Sequence, residues 1–372
     1  MKYDVIIVGG GLAGLSSAID LGKKGYSILV IEKGSYPRQK VCGEYISMES
    51  HRYLNELCPP LAEFNLPKIQ KFRLTSTGNS EFTTHLGLGG FGVSRYLLEE
   101  LLYKEALKHG VTFFLDTKAS DLSYDENGKS YTVTTKSQVV SASIICNASG
   151  RRSNLEAHDK GKKNPGTNYI GIKYHIRFPR DREQIEIHNF QGGYCGISNI
   201  EEDKSCLCYI VNANELHKVN KSIPELEKRI LSQNKNLAKI FTEAEFIFKE
   251  PVTISGINFL IKKPVNDGSF FLGDSAGSIA PVTGNGMSMG LRSACILAQN
   301  IDNYFSGKIN KQDLNNNYVT FWNKEFSTRI KLSRHFQKLS EYPSLTKMTI
   351  GLFKAFPPLA KGVINLTHGE AF

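Results

Sequence analysis

The stretch VIIVGGGLAGLSSA, residues 5–18, constrains the fold more than any other part of the chain. Lys2 to Val8 reads as a buried strand, because its apolar residues run together where a half-exposed strand would alternate. The period turns helical from Leu12 to Lys24, and Ser27 to Ile31 forms a second apolar strand that ends on Glu32. This is a βαβ unit with three spaced glycines at its first turn. Gly9 permits the tight turn, Gly11 lets backbone approach a pyrophosphate, and Gly14 lets helix and strand pack closely. Glu32 is placed to accept hydrogen bonds from a ribose hydroxyl, and its charge disfavours a 2′-phosphate.

A second run, GLGGFG at Gly87 to Gly92, has the same glycine spacing. It follows the threonine-rich SEFTTH instead of an apolar strand, and Ser94 is the natural N-cap of the helix beyond it. The run is therefore expected to be a loop, not a second nucleotide cradle. Arg95, in the first turn of that helix, opposes the helix dipole, which suggests that it serves an anionic partner.

A third element is GSFFLGDSAGSIAPVTGNGMSMGLRSA, residues 268–294. An apolar strand runs into Gly273 and Asp274, a loop carries Pro281, and Gly284-Asn285-Gly286-Met287 opens an apolar helix. Asp274 could hold ribityl or ribose hydroxyls, and the N–H groups of Gly286 and Met287 could stabilise negative charge on a ligand. Taken alone, it is equally a strand, a turn and a helix.

Elsewhere, KFRLTS and SEFTTH read as a two-stranded excursion about the turn TGNS, and RYLLEELLYKEALKHG as a helix feeding the strand VTFFLD. From about Tyr169 to Phe248, alternating strands and two polar helices suggest a mostly antiparallel second domain. The expected division is a discontinuous first domain of residues 1–70, 91–165 and 250–310, a second domain of 71–90 and 166–249, and a helical region of 311–372. In that last region Tyr318, Phe321, Trp322, Phe326, Ile330 and Phe336 mark one amphipathic helix. The final stretch, with Lys347, Lys354 and Lys361 among apolar residues, reads either as packing against the sheet domain or as a lipid-facing surface.

Composition narrows the function classes. Forty-six Lys and Arg against 36 Asp and Glu give a formal charge of +10, but the lysines are scattered and no aromatic-interleaved basic stripe suits nucleic acid. No uncharged apolar run reaches the roughly 18 residues that span a bilayer. Seven cysteines without a C-x-x-C pair fit reduced thiols in a cytoplasm and no metal site.

Together GGGLAG with Glu32, KVCGE at Lys40 to Glu44, Arg95, ASGRRS at Ala148 to Ser153, and GDSAG with PVTGNGM resemble the FAD-dependent oxidoreductases of the p-hydroxybenzoate hydroxylase fold. Within that group the chain looks most like the geranylgeranyl reductase family, in which a Cys-Gly pair follows the first βαβ unit. The resemblance implies an α/β fold: a Rossmann-like, glutathione-reductase-like FAD-binding domain, an inserted antiparallel-sheet substrate domain and C-terminal helices. It implies FAD contacts at Ala13, Glu32, Cys42, Gly43, Arg95, Ala119, Asp274, Gly286 and Met287. Lys33, Arg38, Ala148, Gly150, Gly273, Pro281, Gly284 and Asn285 join Gly9, Gly11 and Gly14 as further candidates. NAD(P)H is expected as a transient reductant, since the fold generally lacks a separate nicotinamide domain.

The chain departs from its relatives at Tyr194 to Ser198, where prenyl reductases carry a Tyr-x-Trp-x-Phe-Pro pattern. The tryptophan-based halogenase signature is absent, Trp322 being the only tryptophan. Ser149-Gly150 stands where many hydroxylases have Asp-Gly. Cys42 and Glu44 are candidate catalytic groups or structural ones, Glu44 as a proton relay or a loop hydrogen bonder. Tyr45 and Tyr194 are candidate substrate contacts. The expected reaction is reduction of a double bond in an apolar, lipid-, isoprenoid- or polyketide-like substrate, free or carrier-bound. The alternatives are a monooxygenase of the same fold and a non-catalytic FAD protein. A cytoplasmic location with peripheral membrane contact completes the expectation.

Overall fold

The computed structural model describes residues 2–78, 80–125, 130–151 and 168–372. It opens with β1 (Lys2–Val8), α1 (Leu12–Lys23) and β2 (Ile28–Ile31), the two strands parallel from Val5↔Ile28 to Val8↔Ile31. All of β2 and the last four residues of β1 are buried, as their unbroken apolar runs require.

The chain then crosses to a second sheet through β3 (Tyr45–Ser47), α2 (His51–Leu57), β4 (Lys68–Thr75) and β5 (Glu81–Gly92). This corrects the reading of GLGGFG as a loop: the run is the end of β5, paired with Tyr45 to Ser47 on one side and with Lys68 and Ile69 on the other. Three of its glycines, Gly89, Gly90 and Gly92, serve close packing. A Cβ at Gly90 would strike the Tyr45 ring, and one at Gly92 the Asn199 carbonyl. Gly89, at φ +72°, sits opposite the register shift between Ile69 and Lys71 that marks a bulge.

Helix α3 (Arg95–Lys108) starts as expected, with Ser94 Oγ accepting from Leu97 N at 3.1 Å. Strands β6 (Thr112–Phe114), β7 (Ala119–Asp125), β8 (Ser130–Thr135) and β9 (Val139–Asn147) return to the first sheet. The second sheet resumes with β10 (Tyr169–Arg177), β11 (Gln184–Phe190), β12 (Gly193–Asn199) and β13 (Ser205–Asn212). Helices α4 (Ala213–Lys218), α5 (Ile223–Arg229) and α6 (Lys235–Glu243) cover one face of it, around Ile172, Phe190, Leu207 and Leu226. Strands β14 (Glu245–Phe246) and β15 (Val252–Ile257) flank β10, and β16 (Val265–Asn266) and β17 (Ser269–Phe271) finish the first sheet.

The first sheet runs β16-β17-β9-β1-β2-β6, parallel from β17 to β6, and the second β14-β10-β13-β12-β11-β4-β5-β3. The second sheet is antiparallel except where β4 meets β11. It also takes in β3 and β15, which lie in segments expected to belong wholly to the first domain. Three residues of β3 are too few to show a period, and their partners in β5 decide the pairing.

Four helices close the chain: α7 (Gly286–Phe305), α8 (Lys311–Leu339), α9 (Pro343–Ala355) and α10 (Pro357–Asn365). In α8, Tyr318, Trp322, Phe326 and Ile330 are buried in the same core as α1, α3 and α7. Phe321 and Phe336 of the expected stripe are only partly buried. Helices α9 and α10 lie on the second sheet through Phe82, Ile350, Phe353 and Ala360. Among the described residues no helix is long and apolar enough to cross a membrane.

Candidate functional site

The turn between β1 and α1 is built by exclusion of side chains. Gly9 has φ +106°, and a Cβ there would strike the Ala148 carbonyl; a Cβ at Gly14 would strike the carbonyl of Gly9. Gly11 differs. It N-caps α1 in extended backbone with no side-chain cap, so the N–H groups of the first turn lack intrahelical partners. A Cβ on Gly11 would meet only Lys40 Nζ at 3.3 Å and Arg95 Nη2 at 3.9 Å. A bare helix N-terminus beside an ammonium and a guanidinium is the donor set for a pyrophosphate.

Around it lies a buried charge network. Glu99 pairs with Arg95, with Lys40 Nζ at 3.0 Å and with Arg38 Nε at 3.6 Å. Burial would raise the Glu99 carboxyl, but Arg95, Lys40 and Arg38 hold it below the ordinary range. Burial pushes the Lys40 ammonium down to about 8, and Arg95 and Arg38 add to the drop. Three cations, Arg38, Lys40 and Arg95, around two carboxylates, Glu99 and Glu32, leave one net positive charge for an anionic guest. Glu32 Oε2 accepts from Gly10 N at 2.7 Å, and Oε1 from Gly34 N at 3.0 Å and Arg38 Nη1 at 2.5 Å. A carboxylate has about four lone-pair sites, so Glu32 keeps one, on Oε2, for a hydroxyl.

At the other end, Gly273 and Gly284 take left-handed backbone at φ +56° and +68°. Asp274 is engaged by Arg151 Nε at 3.0 Å. Arg152 and Ser153 of ASGRRS lie outside the described residues. Helix α7 starts without a side-chain cap, so its N–H groups at Gly286 and Met287 face the same cavity as α1. Asn285 is fully buried, its Nδ2 donating to Thr367 O at 2.7 Å, and ties this turn to the end of the chain.

All the expected cofactor residues except Gly14 and Asn285 line one cavity of about 1280 Å³, together with Glu44, Tyr45 and Tyr194. Gly14 acts in packing alone. Arg95, expected to serve an anionic partner, lines the cavity and also pairs with Glu99. Sequence reasoning named no role for Lys40, Glu99 and Arg151; the first opens KVCGE, the last lies within ASGRRS, and Glu99 follows Arg95 by four residues on α3.

The Cys42-Gly43-Glu44 turn joins the two sheets. Glu44 is completely buried at φ +55°. Its Oε1 accepts from Lys173 Nζ at 2.5 Å and from Arg95 N at 2.8 Å, and its Oε2 faces His175 Nε2 at 2.7 Å. Burial would raise this carboxyl, yet Lys173 and His175 keep it below its usual value. A carboxylate held ionised by a buried ammonium, an imidazole and a backbone N–H is a strut, so the geometry favours a structural Glu44 over a proton relay. Glu44, His175 and Cys206 also bring ligand-type atoms within 4.8 Å of one another. The Lys173 ammonium on the same carboxylate takes the room a metal cation would need, and Cys206 Sγ is engaged at the Cys42 carbonyl, 3.1 Å away.

Beyond this turn the cavity changes character. Phe72, Leu74, Leu86, Ile185, Ile187 and Ile210 of the second sheet, with Phe353, Val363 and Ile364 of α9 and α10, wall its other half. Every Asp, Glu, Lys and Arg lining the cavity comes from segments outside that wall, among them Glu32, Arg38, Lys40, Arg95 and Asp274. Tyr45 Oη is buried at the boundary without a hydrogen-bond partner.

A cationic half for a pyrophosphate and an uncharged half beside it suit a resident redox cofactor that meets an apolar guest. That is the plan of the FAD-dependent oxidoreductases of the p-hydroxybenzoate hydroxylase fold. Sequence comparison agrees: a family model described as FAD binding domain matches residues 2–320, and the chain belongs to this family. The protein is an FAD-dependent enzyme. It is 25% identical to digeranylgeranylglycerophospholipid reductase of Methanococcus vannielii over 354 residues, 87% of this chain and 83% of that protein. It is also 25% identical over 320 residues to ubiquinone hydroxylase UbiL of Rhodospirillum rubrum, 80% of this chain and 72% of that one. Among solved structures, the flavin-dependent brominase Bmp2 superposes with a TM-score of 0.78 at 21% identity, covering 99% of this chain and 93% of that chain. At that identity the likeness concerns the fold.

Proposed function

We propose that the enzyme reduces a carbon–carbon double bond in an apolar, lipid-, isoprenoid- or polyketide-like substrate, with electrons from NAD(P)H or an external carrier. The observation that carries this reading is the uncharged wall described above, which offers a long apolar chain a dry surface next to the cofactor half. The name of the Methanococcus relative, a reductase of a prenylated phospholipid, supports the same substrate class.

Bound FAD supplies the two-electron chemistry; the protein supplies position and exclusion of water. The first turn of α1 with Arg38, Lys40 and Arg95 would hold the pyrophosphate, and Glu32 Oε2 a ribose hydroxyl. The N–H groups of Gly286 and Met287 would face the negative charge that a reduced flavin carries. Glu44 positions the Cys42-Gly43 backbone along the cavity. Tyr45 Oη, buried without a protein partner, would accept a hydrogen bond from, or donate one to, a guest that reaches it, while burial raises its phenol and makes it a poor proton donor.

The second reading is a monooxygenase, which the similarity to the ubiquinone hydroxylase favours. Oxygen dependence separates the two. The holoenzyme, reduced under argon, should be reoxidised by an apolar alkene and yield the saturated product. Product that forms only when oxygen is admitted, with oxygen consumed in step, sinks the reductase reading and establishes the hydroxylase.

A further inference from the structure

Of the large hydrophobic side chains exposed among the described residues, eight fall between Leu339 and Leu366. On α9 the buried side, Thr346, Ile350 and Phe353, faces the protein. The other side shows Leu345, Met348 and Leu352, and the turn into α10 adds Phe356 and Leu359. Met348 is 71% exposed, Phe356 62% and Leu366 61%. A soluble surface seldom gathers so much apolar area without a use for it. The charge pattern is one-sided: no Asp or Glu occurs from Pro343 to Gly369, while Lys347, Lys354 and Lys361 recur every seven residues, all three exposed.

We propose that this outer face of α9 and α10 docks the enzyme onto the surface of an anionic lipid bilayer. An apolar strip flanked by lysines and free of acids is the pattern of a helix lying in the membrane interface. Negative headgroups attract the lysines while the strip enters the boundary between headgroups and acyl chains. Side chains of unequal reach, such as Met348 and Phe356, enter a fluid phase without a matching pocket. That favours lipid over a rigid protein partner. Among the described residues no helix is long and apolar enough to cross a membrane, and the proposed contact is a peripheral one. The inner faces of the same helices, through Phe353, Val363 and Ile364, wall the uncharged half of the cavity. Docking would thus set that half next to the lipid. The inference rests on the surface itself and not on the reaction the flavin performs.

The test is flotation of the full-length, FAD-loaded protein with vesicles of phosphatidylglycerol and phosphatidylcholine, and of phosphatidylcholine alone. The protein should float with the anionic vesicles and lose binding as salt rises. Met348→Asp/Phe356→Asp should abolish binding, and Lys354→Ala and Lys361→Ala should weaken it roughly fivefold each. None of these four residues lines the cavity, so flavin absorbance reports whether each variant is folded. Absence of flotation with anionic vesicles overturns the proposal, as does binding that the folded variants retain in full. Capture of an acidic carrier protein by this face, without vesicle binding, assigns it to a protein and equally overturns the membrane. Because flotation needs no turnover, its failure is distinct from failure of the proposed reaction.

Discussion

Lys40 shows how much chemistry one residue of the cofactor half carries. Its ammonium, lowered to about 8 chiefly by burial, lies beside the uncapped turn of α1. A pyrophosphate placed there favours the charged form, so the value in the complex exceeds that in the free protein. Between the two values binding takes up a proton, and FAD affinity falls as pH rises; below the free-protein value it is level. Titration of apoprotein with FAD should show a flat Kd at neutral pH that climbs above pH 8 by at most about tenfold per unit. Lys40→Met should weaken binding at neutral pH and flatten the climb. A variant with the wild-type profile would mean that Lys40 does not touch the phosphates. Single residues were legible where their role is local. Gly9, Gly11 and Gly14 follow from a turn and a crossing within ten residues, and Ser94 from the helix it caps. Glu99 is an ordinary helical glutamate until Lys40, 59 residues away, comes to rest on it.

Among elements, β1, α1 and β2 were readable because each carries its own period and its boundaries are marked by glycine. The same reasoning failed at Gly87 to Gly92, since glycine erases the alternation by which a strand is known, and the partners of this strand, Tyr45 to Ser47, lie far off in sequence. Spacing alone thus made two runs look alike, and backbone surroundings separate them. Gly14→Ala tests the difference. Its Cβ would be driven into the Gly9 carbonyl, a backbone atom that cannot turn aside. The substitution should cost about 1–3 kcal/mol of stability, as overpacking does, and should release FAD. Gly90→Ala, which presses on the Tyr45 ring and the Ile46 carbonyl, should cost a similar amount while pyrophosphate binding survives. Thermal melts with flavin absorbance distinguish these outcomes, and loss of FAD from both variants in equal measure would contradict the assignment of one cradle.

For the whole molecule, the question is what fixes one sheet against the other around the cavity. Tyr169 Oη donates to Glu341, and Asn189 Nδ2 to Ser340 O at 2.5 Å, so the end of α8 is tied to the second sheet. The deeper tie is Glu44 with Lys173, both completely buried and 129 residues apart, which no sequence period could have paired. Such a pair adds little net stability over an apolar substitute, because both charges are desolvated, but removing one partner strands the other. Lys173→Met should therefore destabilise the protein by about 3–5 kcal/mol in urea denaturation. The double variant Glu44→Gln/Lys173→Met should recover much of that loss, since the remaining amide can still accept from Arg95 N. If the pair also sets the Cys42-Gly43 turn against the flavin, the recovered double variant should bind FAD yet turn over more slowly, with an altered flavin absorption spectrum. A loss in the double variant equal to the sum of the losses of Glu44→Gln and Lys173→Met would show that the two charges do not depend on each other, and the sheets would then owe their alignment to the apolar contacts of the cavity wall.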